Sequence, residues 1–378
     1  MFEVIQNRRV LFGAGKLSEL SNIVREFGDK RVFVLAFSKE ASCVRAALDI
    51  LDKASIQYVC DASLTGEPST EDIDRIAQVA IEADCGAVIA IGGGSVMDAA
   101  KAVAVLCTNG GYVEQYQMEG KPISIPALPI VAIPTTSGTG SEASKVSVVY
   151  NPKNGLKKSF YSPSMIAGTV ILDPEVTLGL PEDVTISTGV DALSHAIESY
   201  VSLNATPYTE MYSLQSMKLV VKSLEACVSR PDDVDARGDM MLASYFGGCA
   251  LNAGIGLAHM VAQPLGGLIK IPHGVACAIY LPFAMEYNLE HSLKKYCDIA
   301  RVFGAEGEDG LALAQEGVER VKAFLKKLNA PASIRQYIPA DFDANAATEM
   351  VLGATGHIKC NPRPVTREAI LDVVTRSV

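Results

Sequence analysis

The stretch "AVIAIGGGSVMDAAKAVAV", residues 87–105, decides the fold. It opens on an unbroken apolar run suited to a buried strand, passes through Gly92, Gly93 and Gly94, and continues from Ser95 as small, helix-prone residues. A strand that enters a helix this way is the unit of a parallel sheet covered on both faces. The same alternation recurs on either side. "RVFVLA" (31–36) reads as a buried strand, "SCVRAALDILDKA" as a helix and "IQYVC" (56–60) as the next strand. "STEDIDRIAQVAIEAD" begins with Ser69 or Thr70 as a cap, with acids in its first turn. "PIVAIPTTSGTGSEAS" (129–144) is a strand that stops at Pro134, and "GTVILDPEVTLGLPEDV" (168–184) adds one more strand and turns. Beyond Pro181 the period changes to helical, as in "TEMYSLQSMKLVVKSLEACVS" and "LALAQEGVERVKAFLKKLN". The fold class expected is α/β plus all-α: a mostly parallel sheet domain over 1–180 and a helical domain over 181–378. In such proteins the active site is expected in the cleft between the halves, near the carboxyl ends of the strands.

Composition bounds the function. The chain has 378 residues, 49% of them apolar, and a formal charge of -10. That argues against a nucleic acid or an anionic membrane as partner, because a polyanion needs a concentrated basic surface. Apolar runs are broken by Pro, Gly or charge before they reach membrane-spanning length. Nine cysteines without a CxxC pair read as reduced thiols of a cytoplasmic protein. The start of the chain lacks the layout of a signal peptide.

Two glycine-containing turns point to phosphate. Glycines let backbone approach an anion, and the start of a helix offers unpaired N–H groups. The run at 92–95 is not GxGxxG, so alone it is also consistent with a structural tight turn. A second polar turn, Thr135, Thr136, Ser137, Gly138, Thr139, Gly140 and Ser141, follows a strand in the same way and strengthens the reading as a dinucleotide site. Asp98 and Lys101 stand three apart on one helix face. They form either a surface salt bridge or a pair that orients the nicotinamide end and contacts phosphate.

A second constellation suits a metal. "GVDALSHAIESY" (189–200) places Asp191 and His195 four apart, on one helix face. Alone they are equally a structural acid–histidine pair. His259 lies in the apolar helical stretch "ALNAGIGLAHMVAQ" (250–263), an awkward place for an unpaired imidazole. "PLGG" is expected to end that element, and the chain then returns through "LIKIP" to present His273. One carboxylate and three imidazoles make a site suited to Fe(II) or Zn(II) with a position left for a substrate oxygen. His291 and His357 fall outside this set.

Taken in order, "FGAGKL", "GGGSVMDAAK", "IPTTSGTGSE", "DPEVTLGLP", "GVDALSHAIESY", "HMVAQPLGG", "PHG" and "NPRP" resemble the iron-containing, group III alcohol dehydrogenase family over essentially the whole chain. The resemblance implies a Rossmann-like N-terminal domain and a helical C-terminal domain in the fold shared with dehydroquinate synthase. It also implies reversible oxidation of an alcohol to an aldehyde or ketone with NAD or NADP, and a homodimer. By the same resemblance Asp191, His195, His259 and His273 match the metal ligands, and Gly92, Gly93, Gly94 and Ser95 the pyrophosphate turn. Asp98, Thr135, Thr136, Thr139 and Lys158 match positions that line the cofactor.

Two departures stand out. Members that prefer NAD carry Asp after the second strand, where this chain has Phe37, followed by Ser38 and Lys39. Losing the acid removes repulsion of a 2′-phosphate, and Lys39 can attract one, which leans toward NADP or dual use. Gln263 stands where many members have a histidine near the alcohol. The catalytic set implied is therefore His259, His273 and Gln263, of which Gln263 cannot act as a general acid or base. The rival readings are a metal-dependent lyase of dehydroquinate synthase type, a metal-free reductase of maleylacetate type, and a non-catalytic nucleotide-binding protein.

Overall fold

A computed structural model describes residues 2–353 and 358–378, which leaves His357 outside the described residues. The chain divides into two compact units, Met1–Gly179 and Leu180–Val378.

The first unit is built on β1 (Arg9–Phe12), α1 (Leu20–Arg25), β2 (Val32–Ala36), α2 (Ser42–Lys53), β3 (Tyr58–Asp61), α3 (Thr70–Glu82) and β4 (Ala87–Gly92). It continues through α4 (Gly94–Asn109), α5 (Val113–Met118), β5 (Ile130–Pro134), β6 (Val146–Asn151), β7 (Leu156–Tyr161) and β8 (Thr169–Leu172). Six strands form one parallel sheet in the order β1-β8-β5-β4-β2-β3. The middle strands β2, β4 and β5 are buried at every position, which is why their sequences are continuous apolar runs rather than alternating ones. Ser69 caps α3 by accepting from the Asp72 N–H.

Two features lie outside the sequence expectation. The strand β1 pairs with β8 at the sheet edge and is mostly exposed, so its "RVLF" carries no core signature. The other is an antiparallel hairpin, β6 with β7, set apart from the main sheet. Asp173 ties the ends of this unit together: its carboxylate accepts from the N–H groups of Leu17, Gly15 and Glu175. That explains structurally why "FGAGKL" and "DPEV" occur in one chain.

The second unit contains only helices among its described residues: α6 (Glu182–Val201), α7 (Pro207–Ser229), α8 (Val234–Ala250), α9 (Leu257–Ile269), α10 (His273–Asn288), α11 (Leu293–Val302), α12 (Leu311–Lys327), α13 (Ala344–Gly353) and α14 (Arg367–Arg376). Two local expectations need correction. His259 does not sit inside one long helix from residue 250. Gly254 (φ 81°) breaks the chain, a left-handed conformation that favours glycine, and α9 begins afresh at Leu257, which puts His259 in its first turn. Nor does "PLGG" end the element: α9 runs through Pro264 to Ile269 and stops at Lys270 in the left-handed region. Leu257, Met260, Val261 and Leu265 are wholly buried in the core of this unit, and that packing outweighs the hydrogen bond lost at the proline. Among the described residues, no single helix is long and apolar enough to cross a membrane.

Candidate active site

In the first unit the chain runs from β2 outward to β3 and then returns to the other side of β2 for β4. The direction of progression reverses between β2 and β4, and in open α/β sheets ligands bind beyond the carboxyl ends at such a point. The two glycine-containing turns meet there. Gly92 ends β4, Gly93 caps α4, and Gly94 is its first residue. The Met97 N–H reaches back to the Gly93 carbonyl, and the N–H groups of the turn before it are the ones a helix leaves for other partners. The second turn packs directly on the first: a Cβ added at Gly94 would come within 2.6 Å of the Thr139 methyl carbon, and one at Gly93 within 3.2 Å of the Thr136 hydroxyl. The Thr135 N–H donates to the Gly92 carbonyl. Gly93, Gly94, Ser95, Thr136 and Thr139 remain partly exposed, whereas Thr135 is buried. Phe37 follows β2 beside this cradle, with its N–H bonded to the Ile91 carbonyl, and both Phe37 and Lys39 are exposed. Lys158 is exposed on β7, opposite Val149 of the hairpin.

Asp98 and Lys101 are not a surface pair. Lys101 is 2% exposed, and its ammonium donates to Ser141, Ser144 and the Val146 carbonyl. The Asp98 carboxylate accepts from the Ser141 hydroxyl and the Val148 N–H and lies 3.6 Å from the Lys101 ammonium. Both residues fasten the second turn and the hairpin to α4. Burial raises the Asp98 pKa and lowers that of Lys101, each opposed by the charge of the other.

Behind this turn lies Glu142, buried with Oε1 lacking a hydrogen-bond partner. Burial pushes its pKa from the usual 4.5 up to about 7, against its own backbone N–H and Lys101. A carboxyl that keeps its proton when folded and loses it when unfolded makes stability fall as pH rises, here between pH 4.5 and about 7. The span corresponds to about 3 kcal/mol. Glu142→Gln is expected to flatten that decline and to be more stable than the parent by about 1–3 kcal/mol at pH 8. Urea unfolding at pH 5 and pH 8 measures this; parallel curves for the two proteins would remove Glu142 as the cause.

The second unit brings the histidines together. Around the Asp191 Oδ1 atom stand His259 Nε2 at 3.4 Å, His273 Nε2 at 3.7 Å and His195 Nε2 at 3.8 Å. Asp191 and His195 come from α6, His259 from the first turn of α9, and His273 is the first residue of α10. The His195 and His259 rings stack with centroids 4.5 Å apart. Asp191, His259, His273 and Cys277 each offer a donor atom within 4.8 Å of the others, so Cys277 stands beside the histidines that the sequence singled out. Gln263 stands one helical turn beyond His259, partly exposed.

Glu198 is the residue that sequence reasoning missed. Buried on α6, it accepts from the Ala258 N–H at 2.7 Å and from His259 Nδ1, anchoring the start of α9 and fixing the ring's orientation. A proton held at Nδ1 leaves the Nε2 lone pair for another partner. The signal was present: Asp191, His195 and Glu198 follow i, i+4, i+7, one helix face. Burial raises the pKa of the Asp191 carboxyl, but His195, His273 and His259 outweigh it and hold the group well below the usual range. Burial lowers the His259 pKa, yet Cys277, Glu198 and Asp191 together drive it well above its ordinary value.

These atoms fit a divalent cation. Asp191 Oδ1 and His259 Nε2 are both buried without a hydrogen-bond partner, an expensive arrangement for two polar atoms unless a third species lies between them. A tetrahedral ion about 2.0–2.1 Å from each ligand spaces those ligands about 3.3–3.4 Å apart, close to the separations observed.

Fold and site together define a dinucleotide-binding sheet and a helical carboxylate–histidine centre. Residues 7–174 match the family model described as iron-containing alcohol dehydrogenase, and residues 185–378 the one described as "Fe-containing alcohol dehydrogenase family, C-terminal". The chain belongs to the iron-containing alcohol dehydrogenase family. It is 34% identical over 369 residues to "Probable alcohol dehydrogenase EutG" of Salmonella typhimurium, covering 96% of this chain and 91% of that protein. It is 33% identical over 371 residues to sulfoacetaldehyde reductase of Bilophila wadsworthia, covering 96% of each. The crystal structure of a 1,3-propanediol oxidoreductase superimposes with a TM-score of 0.96 at 29% identity, covering all of both chains. The protein is thus a metal-dependent, NAD(P)-linked oxidoreductase acting on alcohol and aldehyde substrates.

Proposed function

We propose that this chain interconverts a small alcohol and its aldehyde or ketone with NADP or NAD, using Fe(II) or Zn(II) held by Asp191, His195, His259 and His273. The observation that carries the reading is the pair of buried, unpartnered atoms Asp191 Oδ1 and His259 Nε2, with His273 Nε2 alongside. When bound, the ion lowers the pKa of an alcohol on it, and the nicotinamide accepts or gives the hydride.

The remaining tasks fall to the chain. Glu198 keeps the His259 proton on Nδ1 and the ring in place. Gly92, Gly93, Gly94 and Ser95, with Thr135, Thr136 and Thr139, hold the pyrophosphate at the start of α4. Asp98 acts through Ser141 and the hairpin, as a positioning residue. Gln263 can hydrogen-bond the substrate oxygen but cannot take its proton near neutral pH, so its role is to position that oxygen. Phe37 offers no carboxylate to repel a 2′-phosphate, and Asp61, which ends the neighbouring strand, already accepts from Ser63. Lys39 and Lys158 supply the positive charge. We place the protein in the cytoplasm, where its free thiols stay reduced, as a homodimer with the architecture shared with dehydroquinate synthase.

The test is a spectrophotometric screen of short primary alcohols, diols and hydroxy acids, and of the matching aldehydes, against both cofactors. Turnover with NADP is expected to equal or exceed that with NAD. Lys39→Ala should weaken NADP more than NAD, by roughly tenfold in kcat/KM for one lost charge-assisted contact. An equal loss with both cofactors would remove Lys39 from 2′-phosphate recognition.

A further inference from the structure

We propose that Asn361 is a positioning residue for the metal ligand His259, acting through the first turn of α9, so that the segment 360–364 governs how tightly the ion is held. This role rests on the metal reading above and gives a task to "NPRP" (361–364), which the cofactor cradle and the ligand set leave without one.

The first turn of α9 cannot cap itself. A helix leaves its first N–H groups unpaired, and the cap position here is Gly256, which has no side chain to accept them. Two residues from elsewhere supply the acceptors. The Leu257 N–H donates to Asn361 Oδ1 at 3.1 Å, the Ala258 N–H to Glu198 Oε1 at 2.7 Å and the His259 N–H to Glu198 Oε2 at 3.4 Å. Both acceptors close on Gly256, where an added Cβ would lie 2.7 Å from Asn361 Oδ1 and 3.1 Å from Glu198 Oε1. Glu198 belongs to α6, the helix of Asp191. Asn361 lies 104 positions beyond Leu257.

Asparagine is the residue type that this position needs. Its Oδ1 accepts a second bond from the Asn288 amide at 2.9 Å, while its Nδ2 donates to Asn288 Oδ1 at 2.7 Å and to the Arg363 carbonyl at 2.6 Å. The backbone partners fix which end is which, since the Leu257 N–H only donates and the Arg363 carbonyl only accepts. Aspartate would have no proton for that carbonyl and would set a second buried carboxylate beside Glu198. Asn288 and Asn361 are both 2% exposed, so bulk water does not replace a lost partner.

The segment that carries Asn361 is itself fastened. The Cys360 carbonyl accepts from the Leu203 N–H, the Cys360 thiol donates to the Ile255 carbonyl, and the Tyr287 hydroxyl donates to the Pro364 carbonyl. The Arg363 guanidinium lies 4.1 Å over the Tyr287 ring. Asn361 thus holds α9 against a fixed frame. Without it Glu198 alone must hold both the turn and the His259 ring, and His259 Nε2 leaves its place 3.4 Å from Asp191 Oδ1.

Asn361→Leu keeps the volume and removes all four of these bonds. Zinc-loaded protein is mixed with a chelating metal indicator, well below its melting temperature, and zinc release is timed. Zinc affinity of the variant is expected to fall about 10–100-fold, read as faster release, and the visible bands of its Co(II) form to shift with the ligand geometry. Asp233→Ala, which removes the carboxylate cap of α8, controls for lost stability and should release zinc at the parental rate. A folded Asn361→Leu with parental release and an unshifted cobalt spectrum overturns the positioning role and leaves the metal site standing. Equal acceleration in Asp233→Ala assigns the effect to stability alone and overturns it as well. If Asn361→Leu does not fold, Gly256→Ala, whose Cβ displaces both acceptors, carries the same expectation, and parental release from it overturns the role. A parent that binds neither zinc nor cobalt overturns this role and the metal reading together.

Discussion

Asp191→Asn is expected to purify folded but without bound metal, and with alcohol-dependent reduction of the nicotinamide lowered at least about 1000-fold. The magnitude follows from what one carboxylate oxygen does here. Three imidazole nitrogens converge on Asp191 Oδ1 at 3.4–3.8 Å, and Asp191 supplies the one carboxylate of the ligand set. Asparagine keeps the volume but removes the negative charge that offsets a buried dication. Losing about 4 kcal/mol of Lewis-acid stabilisation corresponds to about three powers of ten in rate, at about 1.4 kcal/mol for each. Elemental analysis, circular dichroism and turnover on one preparation measure all three quantities. A folded variant that keeps both its metal and its rate would show that Asp191 is a structural partner of the histidines and no more.

Gly274→Ala is expected to cost about 1–3 kcal/mol of stability and to weaken metal binding about 10–100-fold. A Cβ at that position would lie 2.1 Å from the Ser187 carbonyl oxygen and 2.6 Å from its carbon. Both contacts are to the backbone of α6, which cannot rotate aside as a flexible side chain can. The first turn of α10 must therefore move away from α6, and it takes His273, the preceding residue, away from Asp191. Gly267 is the control. It is helical and exposed, and nothing lies within 4 Å of an added Cβ, so Gly267→Ala should be neutral or stabilising by a few tenths of a kcal/mol. Thermal melts with and without zinc compare the two. Equal behaviour would mean that close approach of α6 and α10 does not set the site.

The buried parallel strands were legible because a strand covered on both faces is written as one apolar run, as in "VFVLA" and "AVIAIG". The exposed edge strand β1 and the hairpin β6–β7 carry no such run. The strand β7, "LKKSFY", places two lysines side by side and reads as a polar loop until its partner is known. In the helical unit, the face shared by Asp191 and His195 was readable, since it depends on α-helical period alone. That α9 and α10 bring His259 and His273 to that face was not readable from spacing, because the approach depends on breaks at Gly254 and Lys270 and on the bare backbone of Gly274. Cys277 and Glu198 were missed for a related reason. Each obeys the helical period relative to a named ligand, but a cysteine or glutamate in an apolar helix becomes informative only once its cross-helix neighbours are in place. Asp98 shows a further limit: the bonds it accepts from Ser141 and the Val148 N–H, which tie the second turn and the hairpin to α4, join residues 43 and 50 positions away and leave no mark in local spacing.

The most direct test of the central claim is the alcohol and aldehyde screen repeated on protein stripped with a chelator and then titrated with Fe(II) or Zn(II). Activity should be absent from the stripped protein, rise in proportion to metal added, and level off at one ion per chain. Full turnover by stripped protein, with its metal content verified as nil, would contradict the assignment of Asp191, His259 and His273 to a catalytic cation.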